Sequence, residues 1–391
     1  MKIGFVSDRD PYKDKKSWSG TTYKLREAIE RAGNEIIWIK YDKDFNCFIP
    51  KIQQKLLAWY IKLSKRKVIG ACYLGFYCKY FAATIERQGV YDKCDCLFFA
   101  GPSGGQIALY LKKKIPYIYL ADANYHLMEN YYWFNLSSFF AQRAKKEEEL
   151  ATQQAWINIR SSQWAADGAV KYCNAPKDNL YVLEFGANID DNDIILTKPY
   201  HSGRLNIIFS GTDWDRKGGD IAIETTKILR EKGYDAVINI MGIKELPTKY
   251  AEVDYINNIG FLDKNDENDY QKYIEIWKSA HLFILPTRAE CAGIVFSEAA
   301  AYGVPVFTYN TGGIGNYVID GKNGYKMELS QGPQDFANII ESCIVNGEIA
   351  QLSSCARELY NETLSWNVWS KKFRAIIEEN QSALSKIQNH I

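Results

Sequence analysis

The sequence predicts an α/β protein of two doubly wound, parallel-sheet domains. Three observations carry this. Short apolar runs alternate with segments of helical period from end to end, the pattern of a parallel sheet covered by helices on both faces. The pattern restarts after Pro199-Tyr-His-Ser-Gly203, which places a boundary within residues 190–203. The length of 391 residues suits two domains of roughly 100–200 residues each. We therefore divide the chain into residues 1–200, residues 201–362 and a terminal helix, 363–391.

In the first half, residues 2–6 read as a buried strand and 22–32 as a helix with Leu25, Ile29 and Ala32 on one face. Residues 35–39, 96–100, 117–120, 156–159 and 181–183 read as further strands, each short, apolar and bounded by turn residues. In the second half, 205–209 reads as a strand and 220–230 as a helix, with Ile221, Thr225, Ile228 and Leu229 at i, i+4, i+7 and i+8. Strands follow at 236–241, 281–285 and 304–307. Residues 365–380 form a last helix, capped by Ser365, with Trp366 and Trp369 on one face.

Composition narrows the function classes. Hydrophobic residues are 47% and charged residues 24%, the balance of a globular protein. Lys and Arg (48) nearly cancel Asp and Glu (47), which excludes a bulk nucleic-acid binder. The 27 Tyr, 18 Phe and 10 Trp suit sugars and amphipathic ligands, and equally fill cores. The nine Cys form no regular framework. Asp8, Arg9 and Asp10 interrupt the opening apolar run, so no signal-peptide core is expected and free thiols in a reducing cytoplasm are. Cys94-x-Cys96 has the wrong spacing for a zinc pair, and His residues occur only at 126, 201, 281 and 390, so no metal site is expected. The nearest approach to a spanning helix, 68–84, is broken by Lys79.

Ligands of doubly wound sheets bind beyond the carboxyl ends of the strands, so chemistry is sought in the loops that follow them. The most specific string is Pro286-Thr-Arg-Ala-Glu290-Cys-Ala-Gly293-Ile-Val-Phe-Ser-Glu298-Ala-Ala-Ala-Tyr-Gly303-Val-Pro305-Val306. It places Glu290 in a loop and Glu298 one to two turns into a helix beginning near Gly293. The amides of Gly293 and Ile294 then form an anion site, with a carboxylate on each side to grip hydroxyls flanking a diphosphate. The bland alternative is a strand–helix junction with two surface carboxylates.

Other loops add to this. Arg216-Lys217-Gly218-Gly219 sets two cations before a helix, as a diphosphate requires, or is a solvated basic turn. Ser19-Gly20-Thr21 follows the first strand, with an N-cap at Thr21 as the plain alternative. Asp122 and His126 follow the strand 117–120, Asp122 as a hydroxyl partner or a cap and His126 on the next helix. Residues 51–87 are basic and aromatic: Lys51, Lys55, Lys62, Lys65, Arg66, Lys67, Lys79 and Arg87 stand against Glu86 alone, interleaved with Trp59, Tyr60, Tyr73, Phe76, Tyr77, Tyr80 and Phe81. Such a segment suits an anionic lipid surface or an acceptor groove, and also a pair of amphipathic helices with solvated lysines.

The string from Glu290 to Glu298 resembles the E-x7-E signature of glycosyltransferase family 4, retaining enzymes of GT-B fold. Ser19-Gly20-Thr21, Phe185-Gly-Ala-Asn188, Phe209-Ser-Gly211-Thr-Asp-Trp-Asp-Arg216-Lys217-Gly-Gly219, Thr311-Gly-Gly313 and Asp320-Gly-Lys-Asn-Gly324 fit that resemblance in order. It is strong over 205–324 and weak over 42–88. It implies two Rossmann-like domains facing across a cleft, the first for the acceptor and the second for the donor, with the terminal helix, 363–391, packing back towards the first. It implies transfer of a hexose from a nucleotide-diphosphate sugar, UDP- or GDP-linked, to a hydroxyl of a glycan or lipid-linked acceptor, with retention, in polysaccharide or glycan assembly.

The resemblance also implies roles. Lys217, Glu290 and Asp122 would be catalytic. Gly20, Thr21, Arg216, Lys217, Phe261, Leu262, Glu290, Ala292, Gly293, Ile294 and Glu298 would bind the donor, and Ser19, Asp122 and His126 the acceptor. Two departures stand out: Thr212 replaces an Arg frequent in the family, and Asp122 a frequent His. Asp213-Trp-Asp215 looks like the D-x-D of metal-dependent GT-A enzymes, but it leads into the Arg-Lys loop, whose cations make a metal redundant. No cofactor beyond the nucleotide sugar is expected. The expected location is cytoplasmic, with peripheral contact to an anionic membrane as an option. The alternatives are a nucleotide-sugar epimerase of GT-B architecture and a catalytically silent binding subunit.

Overall fold

The apolar runs form two separate sheets in the computed structural model, which describes residues 1–41, 48–68, 74–101 and 104–388. Tyr73 and His390, named above, lie outside them, as does part of the basic aromatic segment. The chain divides into two units: Met1–Ser17, Thr22–Leu183 and Ser370–Ile391 form one, and 18–21 with Glu184–Trp369 the other.

The first unit runs β1 (Lys2–Ser7), α1 (Thr21–Arg31), β2 (Glu35–Lys40), α2 (Phe48–Ser64), α3 (Gly75–Glu86), β3 (Cys96–Ala100), α4 (Gly104–Ala108), β4 (Tyr117–Ala121), α5 (Tyr125–Met128), α6 (Ser138–Gln154), β5 (Ile157–Arg160), α7 (Gln163–Cys173) and β6 (Leu180–Val182). Its sheet is parallel, in the order β2-β1-β3-β4-β5-β6. Strands covered on both faces need apolar residues at every position, and β3 and β4 are buried almost throughout. One face packs Phe99, Tyr117 and Tyr119 against Tyr77, Phe81 and Ile85 of α3.

The second unit runs β7 (Arg204–Ser210), α8 (Trp214–Lys217), α9 (Gly219–Glu231), β8 (Asp235–Met241), β9 (Ile256–Gly260), α10 (Glu267–Lys278), β10 (Leu282–Leu285), α11 (Ile294–Tyr302), β11 (Val306–Tyr309), β12 (Gly324–Met327), α12 (Pro333–Val345) and α13 (Ile349–Glu362), before α14 (Trp366–Gln388). Its parallel sheet has the order β9-β8-β7-β10-β11-β12, the doubly wound order in which the direction of strand addition switches between β7 and β10. Trp277, fully buried, stacks on Tyr302 at 6.0 Å and meets Phe283 of β10 at 5.4 Å.

Helix α14 is divided between the units at Ser370. Ser365 caps it, accepting the Val368 N–H at 3.3 Å. From Ser370 on, it completes the first unit. Phe373 meets Phe98 edge-on at 6.2 Å, and Phe98 in turn stacks on Phe5. Arg374 donates to the carbonyls of Ala32 (2.9 Å) and Arg31 (3.0 Å), satisfying the end of α1.

Four elements differ most from the sequence reading. The strand expected at 304–307 begins two residues later: Gly303 ends α11 in the left-handed conformation, Val304 still donates to Ala299, and Pro305 has no N–H to give a ladder. Strands β9 and β12 were not foreseen. Both are sheet edges, where polar residues such as Asn257 and Asn258 are tolerated and the apolar signal fades. The last helix also continues past residue 380, to Gln388.

Candidate functional site

The loops after β7 and β10 meet at the point where the strand order of the second sheet switches. Asp213 caps α8, accepting the Arg216 N–H at 3.1 Å, so the first carboxylate of Asp213-Trp-Asp215 serves the backbone. Gly218 is left-handed (φ 73°), and a Cβ there would stand 2.3 Å from the Pro286 carbonyl oxygen. Only glycine lets the two loops pass so closely. Arg288 N–H donates to the Arg216 carbonyl at 2.8 Å, and the Arg288 guanidinium donates to the Asp215 carbonyl. The loops are thus clamped through main-chain groups, which fixes where Arg216 and Lys217 point.

Both cations converge on Glu290. Lys217 Nζ pairs with Glu290 Oε2, and Arg216 Nη1 lies 3.9 Å from the same oxygen while donating to the Ala289 carbonyl at 2.9 Å. Lys217 and Glu290 are 9% and 8% exposed. The Glu290 carbonyl accepts the Gly313 N–H at 3.1 Å, so the second glycine pair, Gly312-Gly313, anchors the Glu290 loop.

Gly293 is the N-cap of α11, left-handed (φ 77°) and without a side-chain acceptor for the first-turn amides. A helix start of this kind attracts an anion. Ala292 beside it is buried. Ile294 opens the helix and is partly exposed. The arrangement presents cations, a carboxylate and helix amides together, a set able to hold a diphosphate and an adjoining polyol.

Glu298 lies on α11, where almost every side chain is buried, and is itself 2% exposed. A carboxylate there needs partners. Lys264 donates to Oε1 at 2.6 Å and Tyr273 to Oε2 at 2.6 Å. Lys264 also reaches the Asn188 carbonyl at 3.2 Å and sits over the Tyr273 ring. Burial and the Glu298 charge push the Tyr273 phenol well above its ordinary pKa, so it stays a donor. Sequence reading missed Lys264 and Tyr273. Its one available signal was a Glu inside an apolar helix, which demands partners without naming them. Phe261 and Leu262, just before Lys264, follow β9; Phe261 is half exposed and Leu262 partly buried.

Ser19, Gly20 and Thr21 are held by Asn188, whose side-chain amide donates to the Ser19 carbonyl (2.9 Å) and the Thr21 hydroxyl (3.0 Å). Trp18 and Ser19 are both left-handed, at φ 51° and 58°, a conformation of order 1–2 kcal/mol per residue above the right-handed one. Thr21 is the first residue of α1 rather than a cap before it. Trp18 packs edge-on to Phe185 at 5.1 Å, and Asn188 Oδ1 accepts from Trp366 Nε1 at 3.2 Å, so the segment 185–188 is the hub of this loop.

Asp122 and His126 lie in the first unit, after β4. Asn124, not Asp122, caps α5, accepting the Leu127 N–H at 3.0 Å. Asp122 is partly buried. His126 is on α5, stacked on Tyr172 at 4.9 Å, and burial and then Lys145 lower its pKa. The loop is fixed from below by Glu148, which accepts the Tyr125 N–H at 2.6 Å and the Tyr119 hydroxyl at 3.3 Å. Burial raises the Glu148 pKa to about 7, against the opposing pull of Tyr125 N–H, Arg160 and Tyr119. Nothing in the charged run 145–149 distinguishes this residue by sequence.

No group of three or more His, Cys, Asp or Glu able to hold a metal occurs among the described residues. Nor, among them, is any helix long and apolar enough to cross a membrane. His281 is a backbone partner, accepting the Asn206 N–H at 3.0 Å.

The two six-stranded parallel sheets with their helices form an α/β fold that matches structures of GT-B glycosyltransferases. Residues 197–357 match the model of the family Glycosyl transferases group 1. The chain is 29% identical over 194 residues to the capsular polysaccharide biosynthesis glycosyltransferase CapM of Staphylococcus aureus, covering 45% of this chain and 48% of that protein. It is 26% identical over 181 residues to an uncharacterized glycosyltransferase of Methanocaldococcus jannaschii, covering 46% and 50%. The chain thus spans about half the length of the curated relatives it matches. Among solved structures, sucrose-phosphate synthase from Thermosynechococcus elongatus aligns with a TM-score of 0.69 at 15% identity, over 98% of this chain and 100% of that one. Anabaena HepE in complex with UDP-glucose aligns with a TM-score of 0.62 at 16% identity, over 98% and 100%.

Proposed function

We propose that the chain is a retaining glycosyltransferase of family 4, moving a hexose from a nucleotide-diphosphate sugar to an acceptor hydroxyl. The observation that carries the reading is the convergence of Arg216 and Lys217 on Glu290 beside the uncapped start of α11. A diphosphate offers Lys217 a competing anion. Glu290, so released, turns to the hydroxyls of the donor sugar. Lys217 and the amides of Gly293 and Ile294 take up the charge that grows on the leaving diphosphate. Glu298, oriented by Lys264 and Tyr273, grips the ribose, and Phe261 and Leu262 flank the base. The displacement proceeds on one face through an oxocarbenium-like state, and the leaving phosphate oxygen takes the acceptor proton. The protein's part is charge stabilisation and positioning. Because cations already face the diphosphate, no metal is required.

Ser19, Asp122 and His126 are assigned to a glycan or lipid-linked acceptor. UDP is the first nucleotide to test, since HepE is solved with UDP-glucose. The likeness to CapM, a capsular polysaccharide biosynthesis glycosyltransferase, supports a place in polysaccharide assembly, and a cytoplasmic location belongs to the same reading. The deciding experiment is a thermal-shift screen of UDP-, GDP- and ADP-sugars, followed by nucleotide release across an acceptor panel. Acceptor-dependent release supports transfer. Full turnover of the nucleotide sugar without acceptor would make the chain an epimerase. Binding with no release under any acceptor would make it a silent subunit.

A further inference from the structure

We infer that the exposed face of α2 is a docking surface for a bilayer carrying anionic headgroups. Helix α2 has two apolar faces with different surroundings. One is packed inward: Leu57 lies against the first unit's core, the Tyr60 hydroxyl shares a 2.7 Å hydrogen bond with Ser137 Oγ, and its ring meets Phe140 edge-on at 5.3 Å. The other carries Ile52, Leu56, Trp59 and Leu63, which are 41%, 60%, 64% and 62% exposed. Their spacing of four, three and four residues aligns them in a single stripe. A stripe of large apolar side chains left in water along a helix marks an interaction surface.

The charges that α2 itself sets beside the stripe are of one sign. With about 3.6 residues per turn, Lys51, Lys55 and Lys62 fall on one flank of it, and all three are exposed. Lys65, Arg66 and Lys67 follow at the helix end, also exposed, and no Asp or Glu occurs in residues 48–85. Aromatic residues adjoin the patch. Phe139 is 67% exposed and meets Phe140 at 5.2 Å. Phe134, 54% exposed, precedes Asn135, whose side chain accepts from Arg66 at 2.8 Å.

This chemistry selects the occupant. A second copy of this chain would set the same cations against one another, at a cost in affinity. An acidic protein face would satisfy the lysines and leave the stripe wet. A bilayer offers the stripe apolar depth and the lysines headgroup phosphates, with their stems lying along the boundary. The inference does not depend on the sugar-transfer reading.

The test is sedimentation of the full chain with phosphatidylcholine vesicles, alone or with an equal part of phosphatidylglycerol. Binding to the anionic vesicles is expected, weakened by salt. Leu56→Ser with Trp59→Ser should lose roughly tenfold or more, from the lost apolar contact. Lys55→Gln and Lys62→Gln should each lose about fivefold. All four side chains are exposed, so unchanged melting of these variants separates lost docking from lost folding. The inference is overturned by equal binding of wild type and variants, by equal partition to neutral and anionic vesicles, or by no binding at low salt. It is also overturned if the wild type self-associates and the Leu56→Ser/Trp59→Ser pair abolishes that association.

Discussion

Lys217 and Glu290 form an ion pair across 73 residues of sequence, each less than a tenth exposed. The pairing makes their single substitutions unequal to the double one. Lys217→Ala leaves a buried carboxylate without its main cation and should cost about 1–3 kcal/mol of stability. Joined with Glu290→Gln, much of that loss should return. Turnover should not return in either variant. Glu290→Gln alone should lower kcat by about 10²–10³-fold if it acts like other preorganised charge-stabilising groups. Melting curves and donor kinetics on the three variants check this; full kcat in Glu290→Gln would remove the residue from the chemistry.

Glu298 should fail in another way. Its two oxygens are bound by Lys264 and Tyr273, and the ribose it is proposed to grip changes little during reaction. Glu298→Gln should mainly raise the KM for donor. Lys264→Met should do the same while costing about 1–3 kcal/mol, since it strands a buried carboxylate. A change confined to kcat would contradict both assignments.

The Glu148 carboxyl has a folded pKa of about 7, above its unfolded value of 4.5. The folded state therefore binds the proton more tightly. Stability from this group is full below pH 4.5 and declines as pH rises to about 7. The decline is at most on the order of 3 kcal/mol. Glu148→Gln keeps an acceptor for the Tyr125 N–H and cannot ionise. Its melting temperature should vary less with pH across that window than the wild type's; parallel curves would count against the assignment.

Phe373 is fully buried against Phe98. Phe373→Ala should cost about 3–5 kcal/mol, as large core truncations do. A chain ending at residue 362 should melt well below the full one. Unchanged melting would show that the first unit does not need the helix.

Activity should survive EDTA, because Arg216 and Lys217 are proposed to serve the diphosphate. Loss of turnover in chelator, restored by Mn²⁺, would return Asp215 to consideration as a metal ligand.

The legible part of this fold was its interior. Strands such as 96–100 and 282–285 are apolar at nearly every position because both faces are covered, and they stand out in any reading. Edge strands do not: Ile256-Asn-Asn-Ile-Gly260 is half in water and carries no such signal. The site divides the same way. Glu290, Glu298 and Lys217 stand out in the sequence because the strings that hold them follow strands and carry unusual glycines. Lys264, Tyr273 and Glu148 do not, since each acts through a contact distant in sequence, and Asn188 stands out only as the end of a string, not as the partner of Ser19. Lys264 and Glu298 are 34 residues apart, and Asn188 and Ser19 are 169 apart. The α2 stripe was legible only as a basic aromatic segment, because periodicity shows that a face is apolar and not which way it turns.

The division of α14 also bears on how the protein is made. The first unit's sheet is finished at β6, but the unit takes its last segment from Ser370 onward, after Glu184–Trp369 of the other unit has been synthesised. At about 5–20 residues per second, that interval is roughly 10–40 s. Through it, Phe98 and the end of α1 wait on the ribosome-bound chain without the side chains of Phe373 and Arg374. The nascent protein thus carries a sticky surface on its first unit through that interval, and a chaperone that engages it should bind stalled chains ending before Ser370 and release chains in which α14 has emerged.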